Sequence, residues 1–399
     1  MDVALYVHIP FCRQRCAYCD FNTHVGLESL YVDYERALTQ NLARLATRYR
    51  EASIRTVYFG GGTPSLLPPA LFSRFFTSLA RYFTLAEDAE ITLEANPGTV
   101  DVANLQQLRR IGVNRLSLGV QTTFAEELAL LGRIHTWDEA CAAVLAARQA
   151  GFDNLSLDLI YGLPGQSLAR WAATLERVLE LAPEHLSLYA LTLEAATPLA
   201  QAVAMGELPT PDPDAAAEMY DLAAEHLLAA GFWQYEISNW ARGVVAPDAL
   251  WQLPPDGRTE AISPWVGRHN LVYWRNEPWL GVGAGAHSWY RQRRWVNLPN
   301  PSAYIAALRA RHTPRMETEV ISGALERGET MMMGLRLAEG VSAARFQARF
   351  GVTLEDVYGE TLRRLVALGL LICDGGRVRL TPRARLVGNQ VFGEFLPDG

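Results

Sequence analysis

Short apolar runs alternate with amphipathic stretches of helical length through the first half of the chain. Six runs rich in aliphatic and β-branched residues predict strands at 4–9, 56–59, 91–94, 115–120, 155–160 and 186–191. Helix candidates lie between them at 31–49, 69–83, 102–111, 136–150 and 168–182. Six successive βα units imply a parallel sheet with right-handed crossovers. Because six strands are too few for a closed eight-stranded barrel, the pattern predicts an α/β fold with an open, partial barrel.

The pattern changes twice beyond residue 195. A helix is predicted over 211–231, and residues 242–267 then carry four prolines and little periodicity, which predicts a surface insertion. From about residue 317, two helix-like stretches precede a hairpin around Asp374-Gly375-Gly376 and a final helix, which suits a small winged-helix-like domain. We therefore divide the chain into the segments 1–240, 241–267, 268–316 and 317–399.

The composition excludes several functional classes. The net charge of −7 provides no basic field for nucleic acid or anionic lipid. All 36 basic residues are arginine, which excludes lysine nucleophiles and Schiff bases. We find no signal-peptide pattern, and no run approaches the ~20 apolar residues of a membrane span. Five cysteines do not make a disulfide framework, so we expect a protein of the reducing cytoplasm without a membrane anchor.

Three cysteines follow the first predicted strand directly, as Cys12-x-x-x-Cys16-x-x-Cys19. Thiolates are the usual ligands of iron–sulfur clusters. A cubane held by three cysteines leaves one iron for a small chelating molecule. The alternatives are three reduced thiols, or a zinc site completed by His8 or His24. Structural zinc sites usually combine two close ligand pairs, and this triplet has no distant partner pair.

Five predicted strands end in segments rich in glycine, proline or polar residues: HIPFC, FGGGTP, LEANP, LGVQ and LDLIYGLPG. In barrel-like α/β folds the chemistry lies on the loops at the carboxyl ends of the strands. Turn formation accounts poorly for Glu94, Gln121 and Asp158 at this one edge. The run Gly60-Gly61-Gly62 allows close approach of a ligand, because glycine has no Cβ. These residues predict a ligand site at the carboxyl edge of the strands.

The cysteine loop, with aromatic Tyr18 before its third cysteine, resembles the signature of the radical SAM superfamily. This resemblance implies a [4Fe–4S] cluster on Cys12, Cys16 and Cys19, with S-adenosylmethionine on the iron that lacks a protein ligand. It also implies a partial (β/α)6 barrel, in agreement with the strand count. In that superfamily the reduced cluster can cleave S-adenosylmethionine to methionine and a 5′-deoxyadenosyl radical. The GGGTP segment resembles the superfamily's GGE segment, with Thr63 replacing the acid.

A narrower resemblance covers most of the chain. The segments YVHIPFC, GGGTP, LEANP, SLGVQ, GRIH and DLIYGLPGQ resemble the oxygen-independent coproporphyrinogen III oxidase group. In this group Arg133 would pair with the methionine carboxylate, and Asp158 would accept hydrogen bonds from ribose hydroxyls. The resemblance implies S-adenosylmethionine contacts from Tyr6, Tyr18, Gly61, Gly62, Thr63, Glu94, Gln121, Arg133 and Asp158.

Two features separate this chain from the oxidases proper. Phe21 stands where the oxidases carry a further cysteine, and the chain has little sequence before its first strand. The segment HNLVYW over 269–274 resembles the HNxxYW motif of the HemW-type heme chaperone family. That resemblance makes 268–316 a heme-binding segment and 317–399 a HemN-type helical domain. It implies that His269 is an axial ligand of heme iron. It also implies heme contacts from Asn270, Tyr273 and Trp274.

Alternatives remain at this site and for the function. His269 and Trp274 can instead be structural, and His287 in GAGAHS is a second candidate heme ligand. The resemblance predicts a heme chaperone that passes heme to acceptor heme proteins, with respiratory membrane enzymes as candidate acceptors. The competing function is oxidative decarboxylation of coproporphyrinogen III, and a third is radical chemistry on heme. The sequence assigns no catalytic residue, acceptor or oligomeric state.

Overall fold

The computed structural model describes residues 2–243 and 258–397, and these divide into two compact units. The first unit comprises residues 1–223 and 278–319, and the second comprises 224–277 and 320–399. Most of the predicted insertion at 241–267 lies outside the described residues. The predicted domain bounds therefore stay a prediction.

Six parallel strands form the central part of the first unit, and each pairs with the next along the chain. Helices connect them, as the alternation of the sequence requires. The predicted partial barrel is confirmed. The strands are β1 (Asp2–Ile9), β2 (Ser53–Gly61), β3 (Thr84–Ala95), β4 (Arg115–Gln121), β5 (Leu155–Tyr161) and β6 (His185–Ala190).

Successive residues of these strands lie on opposite faces of the sheet, and the two faces differ in polarity. On β5, Leu157 and Leu159 are fully buried, whereas Ser156 and Asp158 share a hydrogen bond on the other face. Ser117 of β4 also donates to Asp158. One face therefore carries the apolar packing, and the other carries polar side chains toward the strand ends.

Four further strands extend this sheet beyond β1, in the order Trp279–Val282, His287–Tyr290, Arg293–Asn297 and Arg315–Val320. The first of them pairs with β1 in parallel, and the next two pair antiparallel to their neighbours. The sequence did not predict these strands, because each is only four to six residues long.

Several of the helices that flank the sheet begin at residues whose side chains cap them. Thr136 and Glu139 form a capping box at the start of Trp137–Gln149, and Ser167 caps Leu168–Glu180. Within the described residues, no helix combines the length and the apolar character needed to cross a membrane. The helices of this part of the chain are Tyr31–Tyr49, Pro69–Tyr82, Val102–Ile111, Ala125–Leu130, Trp137–Gln149, Leu168–Glu180, Pro198–Ala204, Pro213–Ala229 and Pro301–Arg309.

The second unit combines helices with two small groups of strands. Phe232–Glu236 pairs antiparallel with Asn239–Arg242. Val341–Ser342, Arg377–Leu380 and Leu371–Asp374 form a three-stranded sheet, which contains the predicted hairpin. Three helices precede this hairpin where the sequence predicted two, because Gly351 ends one helix in the left-handed conformation and Thr353 caps the next. The helices are Arg268–Trp274, Gly323–Gly334, Ala343–Phe350, Leu354–Ala367 and Gly388–Gly393.

Candidate functional site

The three cysteines of the predicted cluster lie on the loop that follows β1. The loop is held by hydrogen bonds from the backbone N–H of Ala17 to Leu131 O (3.0 Å) and from that of Cys19 to Cys16 O (3.2 Å). All three thiols are free and partly buried. Within 2–243 and 258–397, no three histidine, cysteine, aspartate or glutamate side chains are gathered closely enough to hold a metal ion. The assembly of the three thiols around a cluster therefore stays a prediction.

The electrostatics of these thiols fit a cationic partner. Burial raises the pKa of Cys12, and the neighbouring thiols Cys16 and Cys19 raise it further. Burial likewise raises the pKa of Cys19. Neither thiolate is favoured by its surroundings alone, and iron would supply the positive charge that keeps the thiols ionised.

Two side chains donate hydrogen bonds to the sulfur atoms. The Thr63 hydroxyl lies 3.7 Å from Cys12 Sγ, and Arg133 Nη1 lies 3.4 Å from Cys16 Sγ. Hydrogen bonds to thiolate sulfur are a normal feature of iron–sulfur sites and influence their potentials. The donor set around these thiols therefore suits the predicted cluster.

The glycine run at the end of β2 packs directly against the end of β1 and against Phe11, in the loop that carries the cysteines. The N–H groups of Gly62 and Thr63 donate to Ile9 O (2.8 Å) and Phe11 O (2.7 Å). A Cβ on Gly62 would lie 2.6 Å from Phe11 O. A Cβ on Gly61, whose φ is +113°, would lie 2.3 Å from the His8 ring. Glycine is required here because the backbones approach too closely for a side chain.

Glu94, at the end of β3, lies beside this glycine run. Its carboxylate accepts hydrogen bonds from the Tyr58 hydroxyl (2.6 Å) and from the N–H of Gly61 (3.1 Å). Burial raises the pKa of Glu94 to about 7, and the nearby carboxylate of Asp158 adds to this effect. A carboxyl group that is ionised above neutral pH can accept a hydrogen bond from an ammonium group.

Asp158, on β5, accepts hydrogen bonds from two serines. Ser117 Oγ lies 3.0 Å from one of its oxygens, and Ser156 Oγ lies 3.3 Å from the other. Burial raises the pKa of Asp158, whereas these hydroxyls lower it. The serines therefore fix the carboxylate orientation while Asp158 stays partly exposed to a ligand.

Arg133 lies at the centre of the polar residues after β4. It donates to Asn96 Oδ1 (2.5 Å) and to the carbonyl of Gly119 as well as to the thiol of Cys16. A Cβ on Gly119 would lie 2.8 Å from Nε2 of Gln121 and 3.0 Å from Arg133 Nη2. Gln121 is buried with φ of +68° at a bulge in β4. The missing side chain at Gly119 gives these two predicted site residues their space.

The two predicted tyrosines lie near the same strand ends. The Tyr6 hydroxyl is 2.9 Å from Nδ1 of His8, and the Tyr6 ring stacks on Tyr58 with 6.3 Å between centroids. The other nitrogen of His8 is 2.9 Å from Asn22 O. Burial raises the pKa of the Tyr18 hydroxyl, and the adjacent Arg133 opposes this shift. Both tyrosines are partly exposed.

Three residues of this site were absent from the sequence prediction. Tyr58 bonds to Glu94, Asn96 bonds to Arg133, and Ser117 bonds to Asp158. Asn96 belongs to the LEANP segment that supplied Glu94, so its position at a strand end was the signal that could have identified it. Tyr58 and Ser117 precede their strand ends, and no comparable signal marks them in the sequence.

The HNLVYW segment forms the helix Arg268–Trp274 in the second unit. His269 is only 2% exposed, and its Nε2 lies 2.9 Å from the hydroxyl of Tyr273 one turn later. The rings of His269 and Tyr273 meet edge-on with 5.1 Å between centroids. Asn270 and Trp274 are partly exposed. The predicted axial ligand is therefore buried and hydrogen-bonded within its own helix.

A buried ionic network follows this helix. Arg275 is bonded to both oxygens of Glu260 (2.6 and 2.7 Å) and to both oxygens of Glu339 (2.9 and 3.1 Å). Glu339 also accepts from the N–H and the hydroxyl of Thr259. Beside the network, the guanidinium of Arg336 lies 4.5 Å from the ring centroid of Trp274. These contacts hold the C-terminal end of the helix in place.

His287, the alternative heme ligand, lies in the first unit. It begins the strand His287–Tyr290 and is exposed, whereas the glycine-rich loop before it is packed. The amide of Asn22 donates to Ala284 O (3.1 Å), and a Cβ on Gly285 would lie 2.5 Å from that amide. The glycine-rich loop therefore packs against Asn22, which lies three residues after Cys19.

Comparisons with known proteins identify the chain's relatives. The family model of the radical SAM superfamily matches residues 6–178, and the model of the HemN C-terminal domain matches 327–387. The Bacillus subtilis protein named heme chaperone HemW is 35% identical over 98% of this chain and 99% of its own length. The Mycobacterium tuberculosis protein of the same name is 36% identical over 98% of this chain and 94% of its length.

A solved structure has the same fold over nearly the whole chain. The coproporphyrinogen III oxidase HemN of Escherichia coli superposes with a TM-score of 0.83 at 25% identity, covering 98% of this chain and 89% of the oxidase. The radical SAM superfamily is defined by a [4Fe–4S] cluster and S-adenosylmethionine, and the thiols and polar strand ends described above fit both groups. This chain belongs to the HemW family, within the radical SAM superfamily.

Proposed function

We propose that this protein is a heme chaperone, which binds heme and transfers it to acceptor heme proteins. One observation carries the proposal: proteins named heme chaperone HemW match the chain at 35% and 36% identity over 98% of its length. The HNLVYW helix supports it, because a neutral imidazole is a competent ligand for heme iron.

In this proposal the first unit holds the cluster and S-adenosylmethionine. Cys12, Cys16 and Cys19 would hold a [4Fe–4S] cluster, which would supply an electron and an iron site for an amino-acid chelate. Glu94 accepts a hydrogen bond from the cationic S-adenosylmethionine, and Asp158 accepts hydrogen bonds from the ribose hydroxyls of the same ligand. Further contacts come from Tyr6, Tyr18, Gly61, Gly62, Thr63, Gln121 and Arg133.

In the second unit, His269 would ligate the heme iron through Nε2. That nitrogen lies 2.9 Å from the Tyr273 hydroxyl, so ligation requires Tyr273 to release it. Trp274 and Tyr273 offer aromatic faces to the porphyrin, and Asn270 is accessible beside them. Heme is the cargo here, so an affinity that permits release is part of the proposed role.

The test is heme binding by anaerobically reconstituted protein. Heme added to the wild type should give a Soret band, and His269→Ala should lose most of it, whereas His287→Ala should retain it. If the Soret band is retained in His269→Ala and lost in His287→Ala, His287 is the ligand of the heme iron. Transfer is then measured by mixing the heme-loaded protein with an apo heme protein and following the acceptor's spectrum. Absence of heme binding by the wild type would contradict the chaperone function.

The competing function is oxidative decarboxylation of coproporphyrinogen III. The structural similarity to the Escherichia coli oxidase favours it, with a TM-score of 0.83. Phe21, which is 64% exposed, occupies the position of the additional cysteine in the oxidases. We therefore expect no protoporphyrinogen above the no-enzyme control in an anaerobic assay. Product above that control would overturn the chaperone function.

The proposed partners and location follow from chemistry. The acceptors are heme-dependent proteins, with respiratory membrane enzymes as candidates. The two cysteines outside the cluster loop, Cys141 and Cys373, are free thiols, which supports a reducing compartment such as the cytoplasm. Fractionation of cells that express the full-length chain tests this location.

A further inference from the structure

A continuous chain of hydrogen bonds joins two of the cysteines through three side chains. Arg133 donates to Cys16 Sγ (3.4 Å) and to Asn96 Oδ1 (2.5 Å). Asn96 Nδ2 donates to Thr63 Oγ1 (2.8 Å), and the Thr63 hydroxyl donates to Cys12 Sγ (3.7 Å). Asn96 is the middle member, and it contacts neither thiol directly.

The direction of each hydrogen bond in this chain is fixed by chemistry. A guanidinium has only donors, so the Asn96 atom beside Arg133 must be the carbonyl oxygen. The amide nitrogen of Asn96 then faces Thr63, and the Thr63 oxygen must accept from it. The single hydroxyl proton of Thr63 is therefore left for Cys12 Sγ.

Close packing keeps Asn96 in this orientation. A Cβ on Gly119 would lie 2.9 Å from Asn96 Oδ1, so only glycine leaves room for the amide. The backbone carbonyl of Asn96 accepts from both the N–H (3.1 Å) and the hydroxyl (2.6 Å) of Thr99, which holds the main chain of Asn96 in place. Thr63 is itself 3% exposed, so water does not compete for its hydroxyl.

We propose that Asn96 is a positioning residue that directs the Thr63 hydroxyl onto Cys12 and thereby raises the reduction potential of the cluster. The proposal rests on the proposed binding of a [4Fe–4S] cluster by Cys12, Cys16 and Cys19. Reduction adds negative charge to the cluster and its thiolates. A donated hydrogen bond stabilises that charge, so its loss makes reduction harder.

The experiment is an electrochemical titration of the reconstituted, full-length protein, followed by electron paramagnetic resonance of the reduced cluster. Asn96→Ala removes the amide that orients Thr63, and we expect the midpoint potential to shift to a more negative value. Asn96→Asp presents only acceptors to Thr63, so the hydroxyl proton turns toward the new carboxylate. We expect a larger negative shift, to which the added charge also contributes.

Variants at Thr63 separate the hydrogen bond from the charge. Thr63→Val should shift the midpoint potential in the same direction as Asn96→Ala. Thr63→Ser keeps the hydroxyl, so its potential should equal that of the wild type. Because Asn96 acts on Cys12 through Thr63, the double variant Asn96→Ala/Thr63→Val should shift by less than the sum of the two single shifts. If Asn96→Ala fails to retain iron, Asn96→Asp, which has nearly the shape of asparagine, decides the role of Asn96 together with Thr63→Val.

The matched control is Asn114→Ala. The side chain of Asn114 accepts from the N–H of Ile91 and donates to the carbonyl of Ala89, both at 2.8 Å, on the same strand as Glu94. The Asn114→Ala variant should be less stable than the wild type, and the midpoint potential of its cluster should be unchanged. An unchanged potential in Asn96→Ala and Thr63→Val with full iron content would overturn the proposal. A wild type that takes up no cluster would instead contradict the cluster assignment on which the proposal rests.

Discussion

The two candidate sites differ in how their residues are held before any ligand binds. In the first unit, Glu94 and Asp158 come from different strands, are oriented by neighbouring donors and remain partly exposed. In the second unit, His269 and Tyr273 come from one turn of one helix, and the buried His269 bonds to the partly exposed Tyr273. The first site is open to a ligand, whereas the second is closed on itself.

This difference follows from the local architecture. Parallel strands bring their carboxyl ends to one edge, so polar residues distant in sequence meet there. A single helical turn brings only residues four apart together, and these satisfy each other when nothing else is bound. We therefore expect the polar strand ends of the first unit to bind S-adenosylmethionine with little rearrangement, whereas the three thiols must come closer together to hold a cluster. We expect the HNLVYW helix to bind heme only after a hydrogen bond breaks.

The largest expected effect tests the open site. Replacement of Cys16 with alanine should abolish the cluster, because only three thiolates are available on this loop. Iron and sulfide content after anaerobic reconstitution measures this loss. Cys141→Ala, on the helix Trp137–Gln149, is the matched control and should retain full content. Normal iron content in Cys16→Ala would remove this thiol from the ligand set.

The second prediction concerns the network that holds the HNLVYW helix. Glu339 is 1% exposed and bonds to Arg275 and Thr259, so Glu339→Ala leaves a buried guanidinium with half of its partners. The free energy of unfolding should fall by about 3–5 kcal/mol, as for other broken buried ion pairs. Denaturant unfolding measures the change. Glu355→Ala, which breaks an exposed pair with Arg363, should cost less than about 1 kcal/mol. An equal loss of unfolding free energy in the two variants would show that burial of the network contributes nothing to stability.

The third prediction is a pH dependence of the open site. The pKa of Glu94 is raised to about 7, so the carboxyl is ionised at pH 8 and largely protonated at pH 6. If only the ionised form accepts a hydrogen bond from the cationic ligand, affinity for S-adenosylmethionine should fall roughly tenfold from pH 8 to pH 6. Calorimetric titration across this range measures it. Glu94→Gln should bind more weakly at pH 8 and show a flat profile, and an unchanged slope in that variant would assign the titration to another group.

The contrast between the sites also explains what the sequence could reveal. The strands and Glu94, Gln121 and Asp158 were predictable, because apolar runs mark parallel strands and their carboxyl ends converge. Asn96 was missed because an asparagine before a proline is typical of a turn, and its role depends on Arg133, which follows the next strand.

The closed site was less predictable. The motif predicts His269 as the heme ligand, which stays a prediction, and a spacing of four residues on a helix permits its contact with Tyr273. The spacing does not indicate that His269 is 2% exposed. The sequence also does not indicate that Arg275 pairs with Glu260 and Glu339, because 15 and 64 residues separate Arg275 from these partners. Burial and long-range ion pairs depend on the packing of the second unit.

The smallest expected effect tests whether the second site is closed by Tyr273. Tyr273→Phe removes the hydroxyl from Nε2 of His269 while keeping the aromatic ring for contact with the porphyrin. A hydrogen bond of this kind contributes about 1 kcal/mol, so heme affinity should rise about fivefold when it no longer competes with iron. Soret titration of the reconstituted protein measures the affinity. Tyr358→Phe, which removes a hydroxyl bonded to Phe395 O in the same unit, should leave it unchanged. A lower affinity in Tyr273→Phe would mean that the hydroxyl assists ligation, and the closed helix would then be a state that prepares His269 for heme.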